Sequence, residues 1–139
     1  MEDIKEFRGQ YFFLSNFYNC RVFYGNRVYQ SSEAAFQAQK CEDDAERTQF
    51  QSMTPAEAKK AGAQVKLRDG WDDMRVAIMY DVCLAKFTQN PDLMRRLKQT
   101  GTARLEEGNN WGDTFWGVVD GQGTNMLGDI LMKIRDEIH

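Results

Sequence analysis

Histidine is almost absent from this chain: its 139 residues include one, His139, and it is the last. A terminal position frays, so the imidazole base of Ser-His-Asp and Cys-His nucleophile pairs is not to be expected, nor the ligand most catalytic zinc sites use. Any enzyme built from this sequence works with carboxylates, lysine, arginine, tyrosine or amides, and no metal site is expected. The glycine-rich phosphate loops GxxxxGK-Ser/Thr and GxGxxG are also lacking, which argues against P-loop and Rossmann-type nucleotide binding. Cys20, Cys41 and Cys83 are odd in number and form no CxxC pair, as for free thiols in a reducing compartment, with Cys83 as core. A basic excess is missing too: 18 Lys and Arg against 21 Asp and Glu leave a net charge of -3. A general nucleic-acid or anionic-membrane binder is thereby disfavoured, and phosphate recognition has to be local. No apolar run approaches the roughly 18 residues of a membrane span. The opening MEDIKEFRGQ is charged throughout, so neither export nor insertion is expected, and a cytoplasmic location is.

What is present fits one compact globular domain over residues 1–139, with 42% hydrophobic and 28% charged residues. YFFLSNFYNCRVFYGNRVYQ alternates aromatic and polar residues around a Gly-Asn turn, predicting two short strands in a hairpin. From Ser31 the pattern becomes helical, with Ser31 or Ser32 as N-cap. A polar helix follows near 43–52, and another is capped by Thr54, with Pro55 at its first position and Gly62 at its end. GWDDMRVAIMYDVCLAKFTQN predicts a long core helix whose stripe is Met74, Ile78, Val82, Ala85 and Leu84. PDLMRRLKQTG predicts a short helix, and NMLGDILMKIRDEI an amphipathic closing helix. The class expected is α+β, mostly helical with a small sheet.

Three stretches carry candidate chemistry. At about 100° per residue, Glu33, Gln37 and Lys40 of SSEAAFQAQK fall within roughly 60° of one another on a helix, while Ala34, Ala35 and Ala38 form a separate packing side. A carboxylate, an amide and an amine then converge on one patch; a solvated polar face has the same spacing. In EGNNWGDTFWG, residues 107–117, Trp111 and Trp116 flank Asp113. The rings either plug the edge of the core or stack on a flat heterocycle. Asp113 either forms a turn or meets sugar hydroxyls and developing charge at an anomeric carbon. In VKLRDGWDDMR, Arg68 and Arg75 surround Trp71 at a helix start, where they can take a phosphate or pair with nearby acids.

FFLSNFY, SSEAAFQAQK, LRDGWDDMR, AKFTQNP, EGNNWGDTFWG and NMLGDILMKIR, in this order, resemble the motifs of the YbiA-like, or NADAR, family of N-glycosidases, across roughly residues 7–135. The resemblance implies a compact, mostly helical α+β fold. It also implies hydrolysis of the bond between a ribose and a heterocyclic amine. The substrates it implies are phosphoribosylamino-pyrimidine intermediates of riboflavin synthesis or, as the alternative, ADP-ribose attached to guanine in nucleic acid. The rival class is a nucleotide or ADP-ribose binding module without catalysis. Carried over by motif, the catalytic residues are Glu33, Lys40 and Asp113. The substrate-binding set is Asn16, Gln37, Arg68, Trp71, Arg75, Trp111 and Trp116. Where many members have histidine after this glutamate, this chain has Ala34, so a histidine contact to substrate is absent.

The chemistry calls for no metal or organic cofactor. Cleaving a ribosylamine needs positive charge stabilised at the anomeric carbon and a proton for the leaving nitrogen. Glu33 and Asp113 can divide these tasks, with Lys40 holding ribose or phosphate. In the favoured covalent route neutral Lys40 attacks the anomeric carbon, the sugar opens to a Schiff base, and water releases it. That route needs a lysine whose pKa is lowered by burial.

Overall fold

The computed structural model describes residues 2–138; His139 lies outside the described residues. Among them the chain is mostly helical with one two-stranded antiparallel sheet, an α+β arrangement. Among the described residues no helix is long and apolar enough to cross a membrane. The chain forms two compact units. One spans Asn16–Pro91; the other joins the N-terminal stretch through Ser15 to Asp92 onward.

The Asn16–Pro91 unit opens with the predicted hairpin, β1 (Asn19–Tyr24) and β2 (Arg27–Ser31), paired Tyr24 to Arg27, Phe23 to Val28 and Val22 to Tyr29. Gly25 and Asn26 turn it at φ of 57° and 65°. These left-handed values are those of a type I′ turn, which matches the strand twist. The outer edge of β1 is capped by a side chain: Gln89 accepts the Phe23 N–H at 2.7 Å and donates to the Phe23 carbonyl at 2.8 Å. The aromatic YFF stretch ahead of the hairpin, expected as strand, is instead a 3-10 helix over Gly9–Leu14 that buries Phe13 and Leu14. Its i to i+3 spacing puts neighbouring rings on different sides, which an alternating pattern does not distinguish from a strand.

Helix α1 (Ser32–Ala38) starts where β2 ends, its N-cap Ser31 accepting the Ala34 N–H at 3.0 Å. The polar stretch forms α2 (Asp44–Arg47) followed by a 3-10 turn over Thr48–Ser52. Helix α3 (Pro55–Gly62) has the expected cap and proline, and Glu57 answers Thr54 in a reciprocal capping box. Helix α4 (Trp71–Gln89) packs along β1 and α1. Its buried stripe is rotated from the expected one: Met79, Val82, Cys83, Lys86 and Phe87 are buried, while Met74, Ile78, Leu84 and Ala85 are only partly covered. The stripe runs through Lys86, whose charged end disguises a core position in the sequence. Cys83 is core as expected, and the three cysteines are free.

The other unit contains α5 (Pro91–Gln99) and α6 (Met126–Glu137). Arg96 of α5 stacks 4.2 Å from the Phe13 ring centre and donates to the Gln10 carbonyl, fastening the 3-10 helix. Residue 4 pairs with residue 105 in a parallel bridge. Buried Asn125, at φ 56°, donates to the Leu105 carbonyl at 2.8 Å and accepts the Glu107 N–H at 3.0 Å, tying the start of α6 to that segment.

Candidate active site

Glu33 occupies the first turn of α1 and is 8% exposed; its N–H donates to the Asn16 carbonyl at 3.1 Å. One turn on, Gln37 Nε2 donates to Glu33 Oε2 at 2.7 Å. The pair is therefore a buried, hydrogen-bonded carboxylate and amide rather than a solvated stripe. Lys40, expected on the same helix, lies two residues beyond its end. The last turn tightens, with Gln39 and Lys40 donating to the carbonyls of Phe36 and Gln37, and the chain then leaves to pair with residues 66–68. The Lys40 carbonyl accepts the Arg68 N–H at 2.9 Å, the Glu42 N–H reaches the Lys66 carbonyl at 3.2 Å, and Cys41 bridges Leu67. The Lys40 backbone is thus fixed without helical geometry.

Burial pushes the Lys40 ammonium below its usual range; the charge of Glu33 opposes this, and the like charge of Arg75 adds to it. Arg75 stands on the second turn of α4 and Arg68 just before the helix, both partly covered, with Arg68 Nη1 3.4 Å from the Gln39 carbonyl. Three cationic side chains therefore belong to the Lys40 neighbourhood and its bridging strand. Trp71, 6% exposed, packs on Phe36 with ring centres 5.3 Å apart, so it walls α1 from the start of α4. Asn16 is also buried: its Oδ1 accepts the Ser32 hydroxyl at 2.8 Å, and its Nδ2 lies 3.4 Å from Met79 Sδ.

The tryptophan loop lies in the other unit. Asp113 Oδ1 accepts the N–H groups of Phe115 and Trp116 at 3.1 and 2.9 Å, a local capping pattern that organises the turn. Asn109 completes it, donating to the Asp113 carbonyl at 2.9 Å and accepting the Asp113 N–H at 3.1 Å. Trp116 packs edge-on against Phe115, 4.8 Å between centres, while Trp111 is 54% exposed. A separate open cleft of about 520 Å³ in this unit is lined by Lys5, Arg8, Glu106 and Asp120 among others, and contains none of the expected site residues.

Within the Asn16–Pro91 unit the structure therefore groups Glu33, Gln37, Lys40, Arg68 and Arg75, with Trp71 as a packed wall and Asn16 beneath α1. Asp113, Trp111 and Trp116 are grouped in the loop. Sequence reasoning missed Asn109, which the Asn-Asn pair in EGNNWGD signals as a turn organiser. It also missed the pairing of residues 40–42 with 66–68, for which no alternating pattern exists. Among the described residues no three His, Cys, Asp or Glu side chains are grouped to hold a metal ion.

Residues 4–139 match the NADAR domain family model. The chain is 38% identical over 132 residues to a riboflavin biosynthesis protein of Vibrio vulnificus; the match covers 91% of this chain but 35% of that protein, so the chain spans about a third of its length. It is 31% identical over 128 residues to N-glycosidase YbiA of Escherichia coli, covering 89% of this chain and 79% of that protein. An N-glycosidase of Nostoc punctiforme is 38% identical over 90 residues, 63% of this chain and 57% of that protein. The solution NMR structure of E. coli YbiA superimposes with a TM-score of 0.84 at 29% identity, covering 99% of this chain and 83% of that one. With its family model spanning nearly the whole sequence and its fold matching a solved relative, this chain belongs to the NADAR family.

Proposed function

We propose that this chain is an N-glycosidase that hydrolyses the bond between a (phospho)ribose and a heterocyclic amine, with a phosphoribosylamino-pyrimidine as substrate class. The family membership and the relatives named N-glycosidase support the reaction; the Vibrio relative's name supports the pyrimidine. The observation that carries the chemistry is the Lys40 amine, half-buried on a pinned backbone and held below its usual pKa by burial against the opposing charge of Glu33.

Lowering the lysine pKa raises the fraction of neutral amine, the form able to attack carbon. Glu33 accepts the proton that Lys40 must shed. The Lys40 nitrogen then bonds to the anomeric carbon as the glycosidic C–N bond breaks; its electron pair goes to the leaving nitrogen, which takes the proton that Glu33 carried. The ribosyl-lysine opens, its N–H proton passing to the ring oxygen as the C=N bond forms. Water adds to that imine carbon, and collapse to the aldehyde expels the Lys40 amine. Arg75 and Arg68 supply charge for a sugar phosphate. Asp113 and Trp116 are carried over from the family motif and Trp111 from its place in the same loop, and substitution reads their contribution.

The test is incubation with a phosphoribosylaminopyrimidine, with ADP-ribosylated guanine and with NAD, followed by chromatography for free base and ribose product. Release from the pyrimidine supports the proposal. Release from ADP-ribosylated guanine alone keeps the reaction and replaces the substrate. Binding without release of any base makes the chain a recognition module.

A further inference from the structure

Gln37 Oε1 is a buried carbonyl oxygen that accepts no hydrogen bond. Such atoms are uncommon and costly. The reason for this one lies on the neighbouring helix. A Cβ built on Gly62, the last residue of α3, would overlap Gln37 Oε1 and come within 2.8 Å of its Cδ and 3.1 Å of its Cβ. The Gln37 amide therefore occupies, against α3, the space that any side chain at 62 would fill. With its carbonyl end seated there, its NH₂ group faces Glu33 and donates to Oε2 at 2.7 Å. Given Glu33 as the carboxylate that the reaction requires, this short contact is a charge-assisted bond from the amide NH₂.

From this geometry we infer that Gly62 and Gln37 are positioning residues for the reaction proposed above: Gly62 provides the seat that aims the Gln37 amide, and the amide holds Glu33 ionised in the rotamer that accepts the Lys40 proton. The inference rests on the N-glycosidase reading and adds to it a role for α3, which carries no motif residue. Gly62 has no left-handed φ that would require glycine. Alanine is the better helix former, so the absence of a side chain at this position is explained by Gln37 rather than by the backbone.

The experiment compares Gly62→Ala, Gln37→Ala and the double variant in turnover of the substrate that the wild type cleaves, across pH, with thermal unfolding as the folding control. In Gly62→Ala the added methyl dislodges the amide. The expected kcat loss is about tenfold or more, the scale of a hydrogen bond to a charged group, with KM changed far less and the acid limb of the pH profile moved to higher pH. Gln37→Ala creates no overlap and should show the same loss and the same displaced limb, so the test stands even if Gly62→Ala folds poorly. Adding Gly62→Ala to Gln37→Ala should cost nothing further. Retention of kcat and of the acid limb in Gln37→Ala, or losses that multiply in the double variant, overturns the inference. A wild type that releases no base overturns the N-glycosidase reading instead. The seat is then read directly from the Gln37 side-chain amide resonance, which the carboxylate shifts downfield: its return to an ordinary position in Gly62→Ala upholds the seat, and an unchanged resonance refutes it.

Discussion

The carbonyl of Lys40 accepts the backbone N–H of Arg68 at 2.9 Å. A candidate nucleophile that lies past the end of its helix is thereby held by a segment 28 positions later in the chain. The bond ties the placement of the amine to the stretch that carries Arg68 and leads into α4, which carries Trp71 and Arg75. Pinning matters because a nucleophile misplaced by about an ångström loses most of the benefit of proximity.

Lys40 decides between the two routes. If its amine forms an imine with ring-opened ribose, borohydride added during turnover reduces it to a stable secondary amine, and peptide mass spectrometry finds a ribose-derived mass on Lys40. The adduct disappears in Lys40→Arg, which keeps the positive charge but stays protonated and cannot attack. Turnover should fall by at least about a hundredfold, in line with loss of a covalent nucleophile, while substrate binding survives better. Turnover by Lys40→Arg close to wild type would leave the two carboxylates to carry the hydrolysis.

Arg75 helps set the pH up to which Lys40 keeps the proton that the reaction uses. Its like charge is one of the influences lowering the Lys40 pKa, after burial. The proton that Lys40 sheds is the one Glu33 hands to the leaving nitrogen, so kcat/KM should fall with rising pH as the pair loses that proton to solvent, below the ordinary 10.5. Removing the like charge in Arg75→Met raises the Lys40 pKa and moves that fall to higher pH. A pH profile that stays in place in Arg75→Met would mean that Lys40 does not govern the limb.

Much of this was legible in the sequence because local rules and tertiary structure agree. The Gly-Asn turn, the Ser31 cap and the Thr54-Pro55 start of α3 stand where their chemistry puts them. The errors share one cause, long-range packing that no local period reports. Continuing α1 through Lys40 satisfied the 3.6-residue pattern, but pairing of residues 40–42 with 66–68 takes the chain out of the helix. Gln37 read as one of three polar residues on a face; its burial follows from Gly62 on another helix. Lys86 stood outside the expected stripe although Val82, Cys83 and Phe87 around it are core.

Asp113 has a structural task separable from any catalytic one. Its Oδ1 holds two backbone N–H groups, so Asp113→Ala should cost about 1–2 kcal/mol, as loss of a capping acceptor does. Asp113→Asn keeps an oxygen acceptor and should stay within about 0.5 kcal/mol of wild type by urea unfolding. Turnover of the asparagine variant then reports the carboxylate charge alone: a large loss at preserved stability assigns Asp113 to the chemistry, and full activity leaves it as the organiser of the loop. Equal destabilisation by both substitutions would contradict the capping role.

Lys86 is fully buried on α4, its Nζ 5.1 Å from the Phe87 ring centre and 5.8 Å from that of Tyr18. Burial lowers its pKa from 10.5 to about 8, against a smaller opposing influence of the Cys20 and Cys83 thiols facing it. Because the folded value lies below the unfolded one, the unfolded chain binds more protons between about pH 8 and pH 10.5, and the contribution of this group to stability improves as pH rises through that window. Below it both states are protonated and the full penalty applies, about 3 kcal/mol for a shift of this size. Lys86→Met, similar in length and apolar, should therefore stabilise the fold at pH 7 by about 1–3 kcal/mol, the scale seen when buried charges are replaced by packed apolar groups. The advantage over wild type should shrink as pH rises from about 8 toward 10.5, where the lysine becomes neutral in both states. Urea unfolding of the two proteins at pH 7 and pH 10 measures it. A methionine variant less stable than wild type at pH 7 would show that the ring contacts and nearby thiols outweigh the cost of burying the charge.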